Sequence, residues 1–132
     1  MDTYRKVGSD MAIPMDENKF NKIKSSFTIN GGVIDSSPDI DNHLNRLDAD
    51  AGTLNANTII IRHNAVPTAS AMFEELIHTA QYRSGKATGD NWIDMEIEAK
   101  RKLIKYQKQY EIPDSENETT KKQLAELIKL KG

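Results

Sequence analysis

The sequence predicts an α+β fold in which helix dominates and a small antiparallel sheet supports it. Three observations carry that expectation. The C-terminal half holds three stretches with apolar residues at helical spacing. The run "NTIIIRHN" (57–64) contains three consecutive β-branched isoleucines and suits a strand. The N-terminal half alternates short helix-like segments with glycine or proline breaks. At 132 residues the chain fits one domain, 1–132, with residues 1–15 expected to form a loose lead-in.

Taken in order, "MDENKFNKIKSSF" reads as a helix. Asp16 offers an N-cap, and Phe20, Ile23 and Phe27 share one side. "NGG" at 30–32 breaks it, and "GGVID" starts a short strand. In "SSPDIDNHLNRLDAD", Ser37 caps a second helix, Pro38 takes its first turn, and Ile40, Leu44 and Leu47 line one face. After the isoleucine strand, a longer helix begins at Thr68 and ends at Gly85. Another runs from about Asn91 to Glu111 and is stopped by Pro113. The last starts with a capping box, Ser115 with Glu118, and shows an apolar stripe of Leu124, Leu127 and Ile128.

Composition excludes several function classes. Without cysteine there is no thiol nucleophile, thiolate metal site or disulfide scaffold. No apolar run is long enough to span a bilayer, and the N-terminus shows no continuous apolar region of a signal peptide. The net charge of −2 is unevenly distributed: residues 1–99 carry nine basic and fifteen acidic groups, residues 100–132 nine and five. The basic C-terminal quarter suits either a solvated helix pair or a surface for an acidic partner or nucleic acid.

A helix turns about 100° per residue, which places Ala69, Met72, Phe73, Leu76, Ile77 and Ala80 on one arc of the 68–84 helix. Glu74, Glu75, His78 and Gln81 share a second arc. Glu74 and Glu75 lie four and three residues before His78, so both side chains reach it. A solvated polar face on an ordinary surface helix gives the same pattern. The next helix adds weight to the alternative. Glu96 falls within its apolar stripe, and a carboxylate there needs a partner. Glu98 falls on its basic face, beside Arg101, Lys102 and Lys105.

Metal-assisted hydrolysis requires two ligands on one helix face, a third from elsewhere, and a carboxylate to take the proton of the attacking water. In "EELIH", Glu74 stands in the first ligand position, Glu75 in the base position and His78 in the second ligand position. Glu96 or Glu98 supplies the downstream ligand. Carboxylate in place of imidazole makes the site harder, moving preference from zinc towards manganese, magnesium or iron. A di-iron site needs a second E-x-x-H motif, and only Glu75-x-x-His78 is present. A metal-free scheme is also open: His78 as general base, tuned by Glu74, with Glu75 or Glu96 as acid, cleaving RNA. His63, at the end of the isoleucine strand, is a further ligand or acid-base candidate, or a plain strand-end residue.

"TLNANTIIIRHNAVPTASAMFEELIHTAQYRSGK" followed by "DMEIEAKRKLIKYQKQYEIPDSENETTKKQLAEL" resembles C-terminal toxin domains of bacterial polymorphic toxin systems, in particular the zincin-like metallopeptidase toxins. The similarity covers roughly residues 53–130. It implies the tip of a larger secreted protein, delivered into a target bacterial cell to act in its cytoplasm. It also implies a macromolecular target there, protein or nucleic acid, and a cognate immunity protein at home. By position, the resemblance makes Glu75 the catalytic glutamate, His78 the second zincin histidine, and Glu96 or Glu98 the downstream acid. The first zincin histidine is replaced by Glu74. Three functions follow as expectations: a metal-dependent hydrolase toxin, a metal-independent nuclease toxin, or a non-enzymatic interaction domain whose Glu/His face is solvated.

Overall fold

The computed structural model describes residues 13–132 and the backbone of residues 3–6. Five helices and four strands follow in the order β1 (Thr3–Lys6), α1 (Glu17–Ile29), β2 (Val33–Asp35), α2 (Pro38–Arg46), β3 (Ala49–Asn55), β4 (Thr58–Ile61), α3 (Ala69–Arg83), α4 (Trp92–Lys105) and α5 (Asp114–Lys131). The helix-dominated α+β expectation holds. None of these helices is long and apolar enough to cross a membrane.

The sheet runs β1-β3-β4-β2. It is mixed rather than wholly antiparallel. β3 pairs antiparallel with both β1 and β4, whereas β2 lies parallel to β4. The parallel pair arises because α2 and β3 intervene between β2 and β4, which lets the chain return to the same direction. β4 explains its isoleucines. Ile59 and Ile61 join the main core with Met72 and Ile77 of α3, while Ile60 points to the opposite face and packs with Leu44 of α2. Both faces of the strand are covered, so an uninterrupted apolar run is required.

Local signals set most helix starts. Asp16 accepts a bond from Lys19 N at 2.9 Å, and Thr68 Oγ1 accepts one from Ala71 N at 3.1 Å. Gly85, at φ +77°, terminates the turn after α3. Three expectations fail. α4 stops at Lys105, and residues 106–111 form turns that end at Glu111, φ +56°, so that Ile112 can enter the core. α5 begins after Pro113, so Ser115 and Glu118 lie within the helix and make no capping box. Of the N-terminal stretch expected to be loose, residues 3–6 pair with β3, Pro14 bridges to Thr68, and Met15 is buried. Residues 1–2 and 7–12 lie outside the described residues.

α3 is the central helix. It packs on the sheet through β3 and β4, and α4 lies against it in turn, with α5 on α4. Phe73 of α3 stacks on Tyr110 at 4.2 Å between ring centroids. The expected apolar arc of α3 is only partly the buried one: Phe73 and Leu76 are half-buried and Ala80 is exposed.

Candidate functional site

The start of α3 is fixed from two directions. Thr68 caps it locally. From α5, Glu116 Oε1 accepts bonds from Ser70 N at 3.1 Å and Ser70 Oγ at 2.6 Å. A buried carboxylate at a helix N-terminus suits both the free N–H groups and the helix dipole. This anchoring sets the rotation of α3, and hence where its second arc points.

That arc is buried. Glu74, Glu75 and His78 are each 0 % exposed, and Gln81 is 2 %. The solvated-surface reading is therefore overturned. β3 and α4 both pack against α3, and each supplies partners to this arc. From α4, Glu96 places Oε1 3.3 Å from His78 Nε2. From β3, Thr53 Oγ1 lies 2.9 Å from Glu75 Oε1 and 3.1 Å from the Glu75 main-chain oxygen. Gln81 links the two helices. Its Nε2 donates to Met95 O at 3.0 Å and to Glu98 Oε1 at 2.9 Å, leaving its Oε1 2.7 Å from His78 Nδ1. With both amide hydrogens directed at acceptors, that oxygen accepts, so His78 Nδ1 carries a proton and Nε2 is turned towards Glu96.

Lys100 completes the cluster and was not singled out from sequence. It is 4 % exposed, its Nζ contacts Glu74 Oε1, and it lies 3.4 Å from Glu96 Oε2. The signal was present: a carboxylate in an apolar stripe needs a partner, and Lys100 stands four residues after Glu96 on the same face. Thr53 was also missed, because β3 was not recognised as a strand.

Two candidates fall outside the group. Glu98, named as a possible ligand, has a side chain 34 % exposed and is held by Gln81, by Lys86 at 3.0 Å and by Lys102 at 3.9 Å. Two residues beyond Glu96, it lies about 200° further round α4. Its carboxyl is held below the ordinary value by the Gln81 bond, then by Lys86 and Lys102, against the effect of partial burial. His63 is exposed and secures the end of β4. Its main-chain N donates to Asp41 Oδ1 at 2.9 Å, and its Nδ1 lies 2.7 Å from Ser36 O. It does not join the cluster.

Burial and charge shift two protons. Glu75 is pushed up to about 8, foremost by burial and further by Glu74 and Glu96, against His78 and the Thr53 bond. Burial alone disfavours charged His78, but the bond to Glu96 and the charges of Glu96, Glu75 and Glu74 outweigh it and raise it to about 9. At neutral pH the cluster thus holds a neutral Glu75 and a cationic His78.

Glu74, His78 and Glu96 each offer one ligand atom, all within 4.8 Å of one another, so this buried group can hold a metal ion. Ligands about 2.0–2.2 Å from a common ion lie roughly 3–4 Å apart, so a modest contraction suffices. The donor set of two carboxylates and one imidazole fits zinc, manganese or iron. The His78 Nε2 atom is buried 3.3 Å from Glu96 Oε1, and an ion binding there would have to displace its proton. Comparison with protein-family models, with curated proteins and with solved structures gives no match.

Proposed function

We propose that this chain is a hydrolase toxin domain whose chemistry is centred on Glu75 and His78, with Glu74, His78 and Glu96 as the seat of a divalent metal. The observation that carries the reading is the convergence of three ligand atoms and a proton-shifted carboxyl, from two helices, at one buried point. When bound, the ion supplies a Lewis acid that polarises the oxygen of the bond to be cleaved. Glu75 is protonated in the metal-free cluster at neutral pH; its ionised form, favoured beside a bound cation, takes the proton of the attacking water and returns it to the leaving group. A group that titrates near neutrality suits both transfers. Thr53 holds the Glu75 carboxyl, and Gln81 fixes the tautomer and orientation of His78. Because Glu74, Glu75 and His78 expose no surface, substrate reaches Glu75 only when the packing around α3 opens. Secretion as part of a larger protein, action in a target cell and neutralisation by an immunity protein belong to the same proposal.

A second reading is favoured by Lys100. With His78 protonated, Lys100 balances Glu74 and Glu96 without any metal, which suits a metal-independent nuclease toxin; in that scheme neutral Glu75 is the acid, and His78 acts as base only after releasing its proton.

The test is inducible expression in bacteria, comparing wild type with Glu75→Gln, while following growth, RNA integrity and the metal content of purified protein. Growth arrest relieved by Glu75→Gln, intact RNA and one bound metal per chain support the hydrolase. Arrest with degraded RNA and no metal supports the second reading. Equal arrest by both variants refutes the role given to Glu75, and arrest by neither counts against the toxin reading.

A further inference from the structure

Lys100 and a metal ion claim the same oxygens. Its Nζ contacts Glu74 Oε1 and lies 3.4 Å from Glu96 Oε2, and both carboxylates belong to the group that can hold an ion. The second oxygen of Glu96 is already engaged, 3.3 Å from His78 Nε2. The Lys100 side chain is 5 % exposed, so little bulk water screens its ammonium from a cation placed beside it. Two like charges in one dry dicarboxylate seat repel strongly, so lysine and ion exclude each other.

We infer that Lys100 is a resident cation occupying the ion seat and setting the threshold for metal entry: an ion binds Glu74, His78 and Glu96 only by displacing it. This rests on the metal reading above. It makes Lys100 a positioning and selectivity residue. In its place, the seat's three oxygen and nitrogen donors are kept charge-compensated and apart from weakly bound ions such as magnesium. Zinc, which binds imidazole and carboxylate more tightly, is able to compete. The flexible stem of four methylene groups lets the ammonium withdraw without moving α4.

The experiment is calorimetric titration of metal-stripped protein with zinc and with magnesium, for wild type, Lys100→Met and Lys100→Arg. Lys100→Met is expected to bind zinc at least about tenfold more tightly than wild type, and to acquire magnesium binding. Lys100→Arg, which keeps the charge, is expected to bind no better than wild type. Equal zinc affinity in wild type and Lys100→Met overturns the inference while leaving the metal seat standing. Absence of zinc binding in all three overturns both. Because Lys100→Met removes a buried charge and can fail to fold, wild type is also treated with a lysine-methylating reagent and read by mass spectrometry. Lys100 is expected to be protected in metal-stripped protein and modified at saturating zinc. Protection that persists at saturating zinc refutes displacement.

Discussion

Raising the pH from about 6 to about 9.5 should strip the metal-free protein of much of its stability, and the cluster on α3 gives the size of the loss. His78 titrates at about 9 in the folded chain against an ordinary 6.5. A raised folded-state value means stability that is complete below 6.5 and lost as pH climbs through 9. At about 1.4 kcal/mol per pKa unit, that is about 3 kcal/mol. Glu75, at about 8 against 4.5, has the same sign: the folded state keeps a proton that the unfolded chain has released. The part of its loss falling above pH 6 is again about 3 kcal/mol. An ionised Glu75 holds the His78 proton more tightly, so the two do not add in full, and about 5 kcal/mol is expected. For a domain stable by roughly 5–15 kcal/mol this is a large share, equivalent to a fall in Tm of about 10–20 °C. The assay is urea unfolding followed by circular dichroism at pH steps across this range, in the presence of chelator. Glu75→Gln copies the neutral acid and should remove about half the slope while costing little near pH 6. Stability constant to within about 1 kcal/mol between pH 6 and 9.5, or a slope untouched by Glu75→Gln, would refute the proton assignments.

Two further substitutions probe the frame around the cluster. Gln81→Leu removes an amide that serves His78, Met95 O and Glu98 together, and should cost about 3 kcal/mol in the same unfolding assay, because buried partners lose their bonds. A cost below about 1 kcal/mol would show that the bridge between α3 and α4 is unimportant. Glu116→Ala frees Ser70 N and Oγ at the start of α3 and should cost about 2 kcal/mol, with Glu116→Gln, which still accepts a bond, costing about half as much. If the two variants are equally destabilised, the hydrogen-bonding account of that helix start is wrong.

Periodicity made α1, α2, α3 and β4 readable, since each carries a cap or an apolar repeat that survives in the fold. β3 was not readable. "ADAGTLN" is rich in Ala, Asp, Gly and Asn, which strands disfavour, and it becomes a strand because β1 and β4 supply hydrogen bonds on both its edges. The spacing of Glu74, Glu75, His78 and Gln81 was legible, but their burial was not. A helical wheel separates polar from apolar arcs; it does not say whether a polar arc meets water or another set of polar groups. The same limit hid Lys100, whose neighbours on the basic C-terminal stretch pointed to solvent. At the start of α5 the capping-box signal at Ser115 misled: Pro113, the expected stop of the preceding helix, is itself the N-cap, with an extended ψ of 151°, and α5 begins at Asp114.

The small side chains of β3 act as a spacer gauge. Ala51 and Thr53 face α3 with little bulk, which is how a threonine hydroxyl comes within 3.1 Å of the helix backbone at Glu75. A leucine at either position would thicken that floor and lift the helix. Glu74, Glu75, His78 and Gln81 ride on one rigid rod, so they would travel together, away from Thr53 and against Glu96 and Lys100 on the far side. Drift in a plain-looking strand is thereby coupled to alignment across two helices, and a screen for lost function should find hits at Ala51 even though it contributes no polar side chain to the cluster.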